Sequence, residues 1–310
     1  METIDKETLQ KVSQIYKNTL SDLDHVLIGQ NKVKKVVVSS MLCSKNARIL
    51  LMGNVGMGKT TLSKFLSSSF SSARISVASD MITSDIQDVL KDRENDLRSL
   101  LVDEMNRAGG KVQNAFIELL AENQMNIGSN NYKFEDFYAF ATQNNADITG
   151  IFNVSQALYD RFDVNAYFEH LTRDELGQVL FNEFVPNEQS HLSESDITFT
   201  TNAVKQFQPS EIDINIMMDI FMKMNAVTLD GKRLFPGDNV RAHAFAIKLM
   251  KLKAMTEERN NIYPTDILDY IDSLYLHRID QTVTRMDNDN VKEKFECLKQ
   301  EIKTMKRPRR

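Results

Sequence analysis

Apolar residues in the first part of the chain recur at helical spacing. Leu9, Val12, Ile15, Tyr16 and Leu20 share one side of a helix expected over 5–22, and Val33, Val36, Val37 and Met41 one side of a second over 31–42, with a break from His25 to Gly29. The pattern then changes. Arg48–Met52, Arg74–Ala78, Leu100–Val102 and Phe137–Ala141 read as short strands alternating with helices, the first of these helices over Leu62–Phe70. That rhythm implies a parallel sheet with helices on both faces. Val164–Phe168 is a candidate fifth strand. From Thr172 onward almost everything reads as helix: 173–184, 200–207, 211–226, 240–257, 265–277 and 290–305. Pro264 before Thr265 and Asp266 marks a helix start, and Leu229–Lys232 a turn. The expected fold class is α/β, a parallel sheet sandwiched by helices, followed by an all-α lid. The expected divisions are an N-terminal helix over 1–24, an αβα unit over 25–168, the all-α lid over 169–280, and an amphipathic helix with a basic tail over 281–310.

The last helix stands apart. Val291, Phe295, Leu298, Ile302 and Met305 are spaced four, three, four and three, a seam of only two heptads. It docks either on its own lid or on a neighbouring subunit. Lys306–Arg310 is strongly basic, and reads as a solvated terminus or as an anion-binding arm.

Composition narrows the class. A chain of 310 residues can hold two domains. Its net charge of −5 supplies no global basic field for nucleic acid or membrane. Cys43 and Cys297, the two cysteines, lack metal-ligand spacing and read as reduced thiols. No apolar stretch approaches the ~20 residues of a membrane span, and residues 1–19 do not resemble a signal peptide. A cytoplasmic protein is the expectation. Its 15 methionines read as core filler more than as a plastic binding surface.

The chemistry begins at Gly53-Asn54-Val55-Gly56-Met57-Gly58-Lys59-Thr60-Thr61, which fits G-x-x-x-x-G-K-[ST] between a strand and a helix. Glycines there let the backbone approach a phosphate chain, and successive N–H groups at a helix start favour an anion. Lys59 is expected to reach the β- and γ-phosphates and the Thr60 hydroxyl to ligate Mg²⁺. The third strand ends in Asp103-Glu104. Its carboxyl end puts Asp103 beside the phosphate loop, where it can hold Mg²⁺ through water, while Glu104 can act as general base on the attacking water. The fourth strand turns polar at Thr142-Gln143-Asn144. Asn144 is assigned to orient that water, with Thr142 and Asn145 as alternatives. Arg161, between Leu158 and Phe162, reads either as an ion pair with Asp160 or as a group that reaches a neighbouring subunit's nucleotide.

These motifs, in this order, resemble the MoxR family of AAA+ ATPases over positions 25–280. The phosphate loop is matched at Gly53–Thr60. The second motif is matched at Asp103–Ala108, continuing through Lys111-Val112-Gln113 and Phe116-Ile117-Glu118 to Glu122. Ala141–Asn144 resembles the sensor-1 segment, and Asp160-Arg161-Phe162 the arginine-finger segment. Asn239-Val240-Arg241-Ala242 resembles the lid motif bearing the sensor-2 arginine, and Leu276–Ile279 the segment that closes the lid. The resemblance implies an AAA+ P-loop NTPase domain, ATP and Mg²⁺ as ligands, and a ring, usually hexameric, with ATP between subunits. It further implies Arg161 acting in trans, Arg241 acting in cis, and Ile28 and Gly29, within Val26–Gln30, lining the base pocket. Arg107 contacts the neighbour or pairs within its own helix. Val55 replaces the family's usual proline, and Asp238-Asn239-Val240 its usual Ser-Pro before the lid arginine. Only sixteen residues separate Ile86 from Asp103, where the family has a longer hairpin, so a short helix over Ile86–Arg93 is expected.

The function expected is an ATPase that remodels or activates a protein client, which the resemblance suggests is a von Willebrand factor A domain protein. Two rivals remain: an ATP-driven nucleic-acid motor or loader, kept open by the basic tail, and a nucleotide-gated scaffold that turns over slowly.

Overall fold

A computed structural model describes residues 3–91, 96–127, 129–144, 152–181, 192–235, 237–279 and 288–307. Five strands, β1 (Arg48–Met52), β2 (Ser72–Ser76), β3 (Ser99–Asp103), β6 (Tyr138–Gln143) and β7 (Val164–Tyr167), form one sheet in the order β2-β3-β6-β1-β7, every pair parallel. Strand alternation divides the core between the two faces. Ile49, Leu51, Leu101 and Phe140 pack against α2 (Asn31–Cys43) and α3 (Lys59–Ser67). Leu50, Leu100, Val102, Ala139 and Ala141 pack against α4 (Thr83–Leu90) and α5 (Gly110–Glu122). The expected sandwich is present, with a buried core on each face of the sheet.

Two short strands escaped the sequence reading. β4 (Gln124–Ile127) and β5 (Asn130–Lys133) form an antiparallel hairpin after α5. Each strand has four residues, and the polar–apolar alternation of Gln124–Ile127 is too short to stand out; buried Met125 and Tyr132 tie the hairpin to the core. The second strand lies two residues earlier than expected, because β3 pairing begins at Ser72–Ser99. The short helix expected over 86–93 is α4, which ends at Leu90; Arg93 lies outside the described residues.

After the one-turn α6 (Gln156–Tyr159) and β7, the chain is helical: α7 (Arg173–Phe181), α8 (Glu194–Gln206), α9 (Glu211–Ala226), α10 (Val240–Thr256), α11 (Ile271–Tyr275) and α12 (Asn288–Thr304), interrupted by the two-residue strands β8 (Thr228–Leu229) and β9 (Lys232–Arg233). α8 starts six residues before the expected helix because Ser193 and Asp196 cap it reciprocally, the Ser193 hydroxyl accepting from Asp196 N at 3.1 Å. The helix expected over 265–277 is broken into a 3-10 turn at Pro264–Ile267, then α11, then a second 3-10 turn at Leu276–Arg278. The break falls at Tyr270, whose buried hydroxyl meets Ser39 of α2 at 3.0 Å. This bond ties the helical region to the α2 face of the sheet. α1 (Lys6–Asp24) buries Leu9, Val12 and Leu23 in the same core.

The two sequence alternatives for the chain's end resolve here. Val291, Phe295, Leu298 and Ile302 of α12 are buried within their own chain, with Phe295 edge-on to Phe235 at 6.1 Å. Arg307 is not a free arm. It pairs with Asp213, a fully buried carboxylate that also accepts from Ile262 N at 3.0 Å and caps α9. Residues 308–310 lie outside the described residues. Among the described residues no helix is long and apolar enough to cross a membrane.

Candidate active site

β1 delivers the phosphate loop at the carboxyl edge of the sheet, flanked by β6, with β3 next to it. In a parallel α/β sheet this is where ligands bind. The loop's turns demand glycine. Gly58 has φ +89°, and a Cβ there would lie 2.5 Å from Leu27 Cδ1. Gly53 has φ +155°, and a Cβ would meet Phe168 at 2.8 Å. Leu27 therefore buttresses the loop from the segment before α2. No side chain caps the amino end of α3, which leaves its first N–H groups facing the cleft.

The cleft has a volume of about 550 Å³ and is lined by Val55–Thr61, Arg74, Ser76, Asp103, Glu104, Thr142 and Asn144. Lys59 is folded back on the loop, donating to the carbonyls of Gly53 and Asn54, each at 2.6 Å. Those two residues thus contribute carbonyl oxygens that place the lysine. Burial pulls the ammonium below its ordinary value, while Asp103 and Glu104 pull it back up.

Thr142 joins the two acids. Its hydroxyl donates to Asp103 Oδ1 at 2.6 Å and accepts from Glu104 N at 3.0 Å. Thr60 also donates to Asp103 Oδ1, at 3.3 Å. Glu104 stands in the left-handed region at φ +58°, turning its side chain out of the strand direction toward Arg107, which it meets at 2.9 Å. Of the two readings of Arg107, the local ion pair is the one present. Asn144 is buried at the cleft wall, and its carbonyl accepts from Asn106 at 3.1 Å. Asn145 lies outside the described residues.

These residues fit a magnesium nucleotide. The Thr60 hydroxyl and the Asp103 carboxylate form a small oxygen donor set, and among the described residues no group of three or more His, Cys, Asp or Glu could hold a metal alone. Such a pair suits an ion that shares its coordination with phosphates and water.

The other assigned residues lie elsewhere. Ile28 and Gly29 are not among the residues lining the cleft; Gly29 lies against Leu171 and Glu175. Arg161 precedes β7, whose Val164 pairs with Ile49 at the amino edge of β1. A five-residue strand, roughly 16 Å long, separates that edge from the loop. Arg161 feels the charge of Asp160, which itself accepts from Gln156 at 3.1 Å, while the Nε of Arg161 is buried without a hydrogen-bond partner.

Arg241 stands apart from the phosphate loop. It does not line the cleft, and its charge is felt at Arg48, Arg161 and Arg278, whose guanidinium values burial first, and Arg241 with it, push down. The start of α10 is exposed, and Arg241 there lies within electrostatic reach of Arg161. Arg278 fastens this edge. It is buried, and donates to Leu274 O at 3.0 Å, to Asp160 O at 3.1 Å and to Phe162 O at 2.5 Å, while His277 Nε2 meets Phe162 O at 3.2 Å. The carbonyls on either side of Arg161 are thus clamped by the lid segment. Sequence reasoning missed Arg74, Ser76, Leu27 and this clamp. Only the resemblance of Leu276–Ile279 to a lid segment pointed toward the last.

Comparison with known proteins matches residues 48–164 to a family described as ATPases associated with various cellular activities. The chain is 22% identical to Chaperone MoxR1 of Mycobacterium tuberculosis over 83% of this chain and 74% of that protein. It is 23% identical to the uncharacterized protein YeaC of Bacillus subtilis, over 79% and 80% of the two chains. It is 26% identical to Protein MoxR of Paracoccus denitrificans over 47% and 48%. The crystal structure of a presumed ATPase from Cytophaga hutchinsonii superposes with a TM-score of 0.76 at 19% identity, covering 98% of both chains.

Proposed function

The chain belongs to the MoxR family of AAA+ ATPases, and from that premise we propose that it hydrolyses ATP at the interfaces of a ring to remodel a protein client. The observation that carries this reading is the separation of charges. Lys59, Thr60, Asp103, Glu104, Thr142 and Asn144 converge at the carboxyl edge, while Arg161 and Arg241 lie at the amino edge. A single chain therefore holds a nucleotide pocket without its arginines, and a head-to-tail neighbour can supply them.

In that site the loop N–H groups and Lys59 bind the phosphate chain, and Ile28 and Gly29 are proposed to approach the base. Thr60 and Asp103 would hold magnesium, which neutralises charge between the phosphates. Glu104 leaves Arg107 to accept a proton from water, and Asn144 and Thr142 orient that water. Arg161 and Arg241 of the neighbouring copy stabilise the charge that develops as the γ-phosphate departs. Since Arg278 clamps the segment around Arg161, a lid movement on closure carries the finger with it. The client is a protein, and the resemblance favours one with a von Willebrand factor A domain. The engagement of Arg307 with Asp213 weakens the nucleic-acid reading, which rested on a free basic tail.

The test is complementation. Glu104→Gln and Arg161→Ala, each inactive alone, should recover hydrolysis when mixed, because mixed interfaces pair an intact pocket with an intact finger. Recovery absent at every ratio, with co-assembly verified by mass, would defeat the shared-site reading.

A further inference from the structure

Arg74 lies inside the cleft with no role in the reading above. It projects from the edge strand β2, two residues before Ser76, which is in register with Asp103. Its guanidinium donates to Asp103 Oδ2, while Thr60 and Thr142 occupy Oδ1. The carboxylate expected to face a magnesium ion is therefore already neutralised by a cation of its own chain. The pair is asymmetric: the Arg74 side chain is 45% exposed and that of Asp103 10%. The carboxylate is fixed by two hydroxyls, and the arginine is the partner free to leave.

Where it could go is restricted. The acids lining the cleft are Asp103 and Glu104, and Glu104 is already paired with Arg107. A divalent cation taking Asp103 would repel the guanidinium from Oδ2, and the remaining counter-charge in the cleft would be a bound phosphate chain. A planar fork of donors suits that ligand.

We propose that Arg74 is a resident stand-in for the magnesium ion, holding Asp103 neutral in the nucleotide-free protein and passing to the triphosphate, beside Lys59, when the divalent cation claims the carboxylate. The inference rests on the reading of the cleft as a magnesium–ATP site. It makes Arg74 a coupling between metal and nucleotide: without metal, the arginine keeps a bare Asp103 charge from confronting the phosphates.

The experiment is equilibrium titration with a fluorescent ATP analogue, in EDTA and in excess magnesium. It compares the wild-type protein, Arg74→Ala, Arg74→Lys and the double variant Arg74→Ala/Asp103→Asn, with thermal melts to verify folding. Arg74→Ala should weaken metal-free binding about tenfold, and by at least about fivefold more than it weakens binding in magnesium. Arg74→Lys should retain most metal-free affinity, and Asp103→Asn should restore it in the alanine background. Equal losses with and without magnesium would make Arg74 an ordinary phosphate ligand and overturn the proposal. So would no loss in either condition. Should Arg74→Ala fail to fold, Arg74→Gln, which keeps the stem, takes its place under the same criteria. Failure of the wild-type protein to bind the analogue in both conditions would instead overturn the reading of the cleft itself.

Discussion

The two edges of one sheet are built on opposite principles. At the carboxyl edge, the charged groups are held by hydrogen bonds that can be exchanged: Lys59 rests on two loop carbonyls, Asp103 on hydroxyls and Arg74, Glu104 on Arg107. At the amino edge, Arg278 is buried and held by three backbone carbonyls, and Arg48 bonds Asn123 at 2.9 Å. On the proposed reading, one edge receives a ligand, and the other presents Arg161, between carbonyls that Arg278 holds, together with Arg241. Chemistry that needs a charge to move sits where bonds are replaceable; chemistry that needs a charge to stay sits where they are not.

The sharpest way to break this comparison is Glu104→Gln. Hydrolysis should fall by roughly 10²–10⁴-fold while nucleotide binding persists, since the amide cannot accept the proton. Steady-state phosphate release alongside analogue binding checks this. Loss of binding in parallel would mean that Glu104 holds the pocket together and does not act on water.

Next in size is Arg278→Ala, aimed at the rigid edge. It leaves the carbonyls of Asp160 and Phe162 without their guanidinium donor, and urea denaturation should show a loss of about 2–3 kcal/mol. An exposed arginine such as Arg241, changed to alanine, should alter stability by less than about 0.5 kcal/mol. Equal effects of the two would erase the distinction between clamp and presented group.

The smallest effect is a pH slope. Burial, with Arg278 adding to it, pushes the His277 imidazole down to about 3 and that of His243 to about 4. Unfolded, each titrates near the ordinary histidine value of about 6.5. The unfolded chain therefore takes up protons that the folded one refuses, so the stability these groups contribute is present above that value and lost as pH falls toward 4. Between pH 7 and pH 5, His277 alone should lower stability by roughly 2 kcal/mol, and His277→Gln should remove that part of the slope. Asp163, raised by burial against the pull of Arg48, works in the opposite sense, so the wild-type to His277→Gln difference is the quantity to compare. An unchanged slope would show that His277 is not held neutral at this edge.

How much could be read in the sequence followed from where information is local. The phosphate loop, Asp103 and Glu104 carry their chemistry in a few consecutive letters next to a strand. Their cleft was legible because strand order brings the ends of β1, β3 and β6 together. Arg74 was not legible: one exposed basic residue on an edge strand looks like a solvated surface until the register sets it against Asp103. The hairpin of β4 and β5 was missed because four-residue strands are too short for their alternation to stand out. The surroundings of Arg241 were not legible, because a motif specifies a helix start but not what lies around it. Likewise, the a/d seam of α12 indicated burial without naming the surface, and Phe235 turned out to supply part of it.

Glu104 adopts a backbone conformation that glycine and asparagine occupy more comfortably, at φ +58°. The residue proposed as the base is therefore one of the locally costly choices in the chain, by about 1 kcal/mol. Selection for heat resistance alone would favour Glu104→Gly or Glu104→Asn and discard turnover in the process. Directed evolution of a hardier variant should hold this position fixed and look for its gains elsewhere.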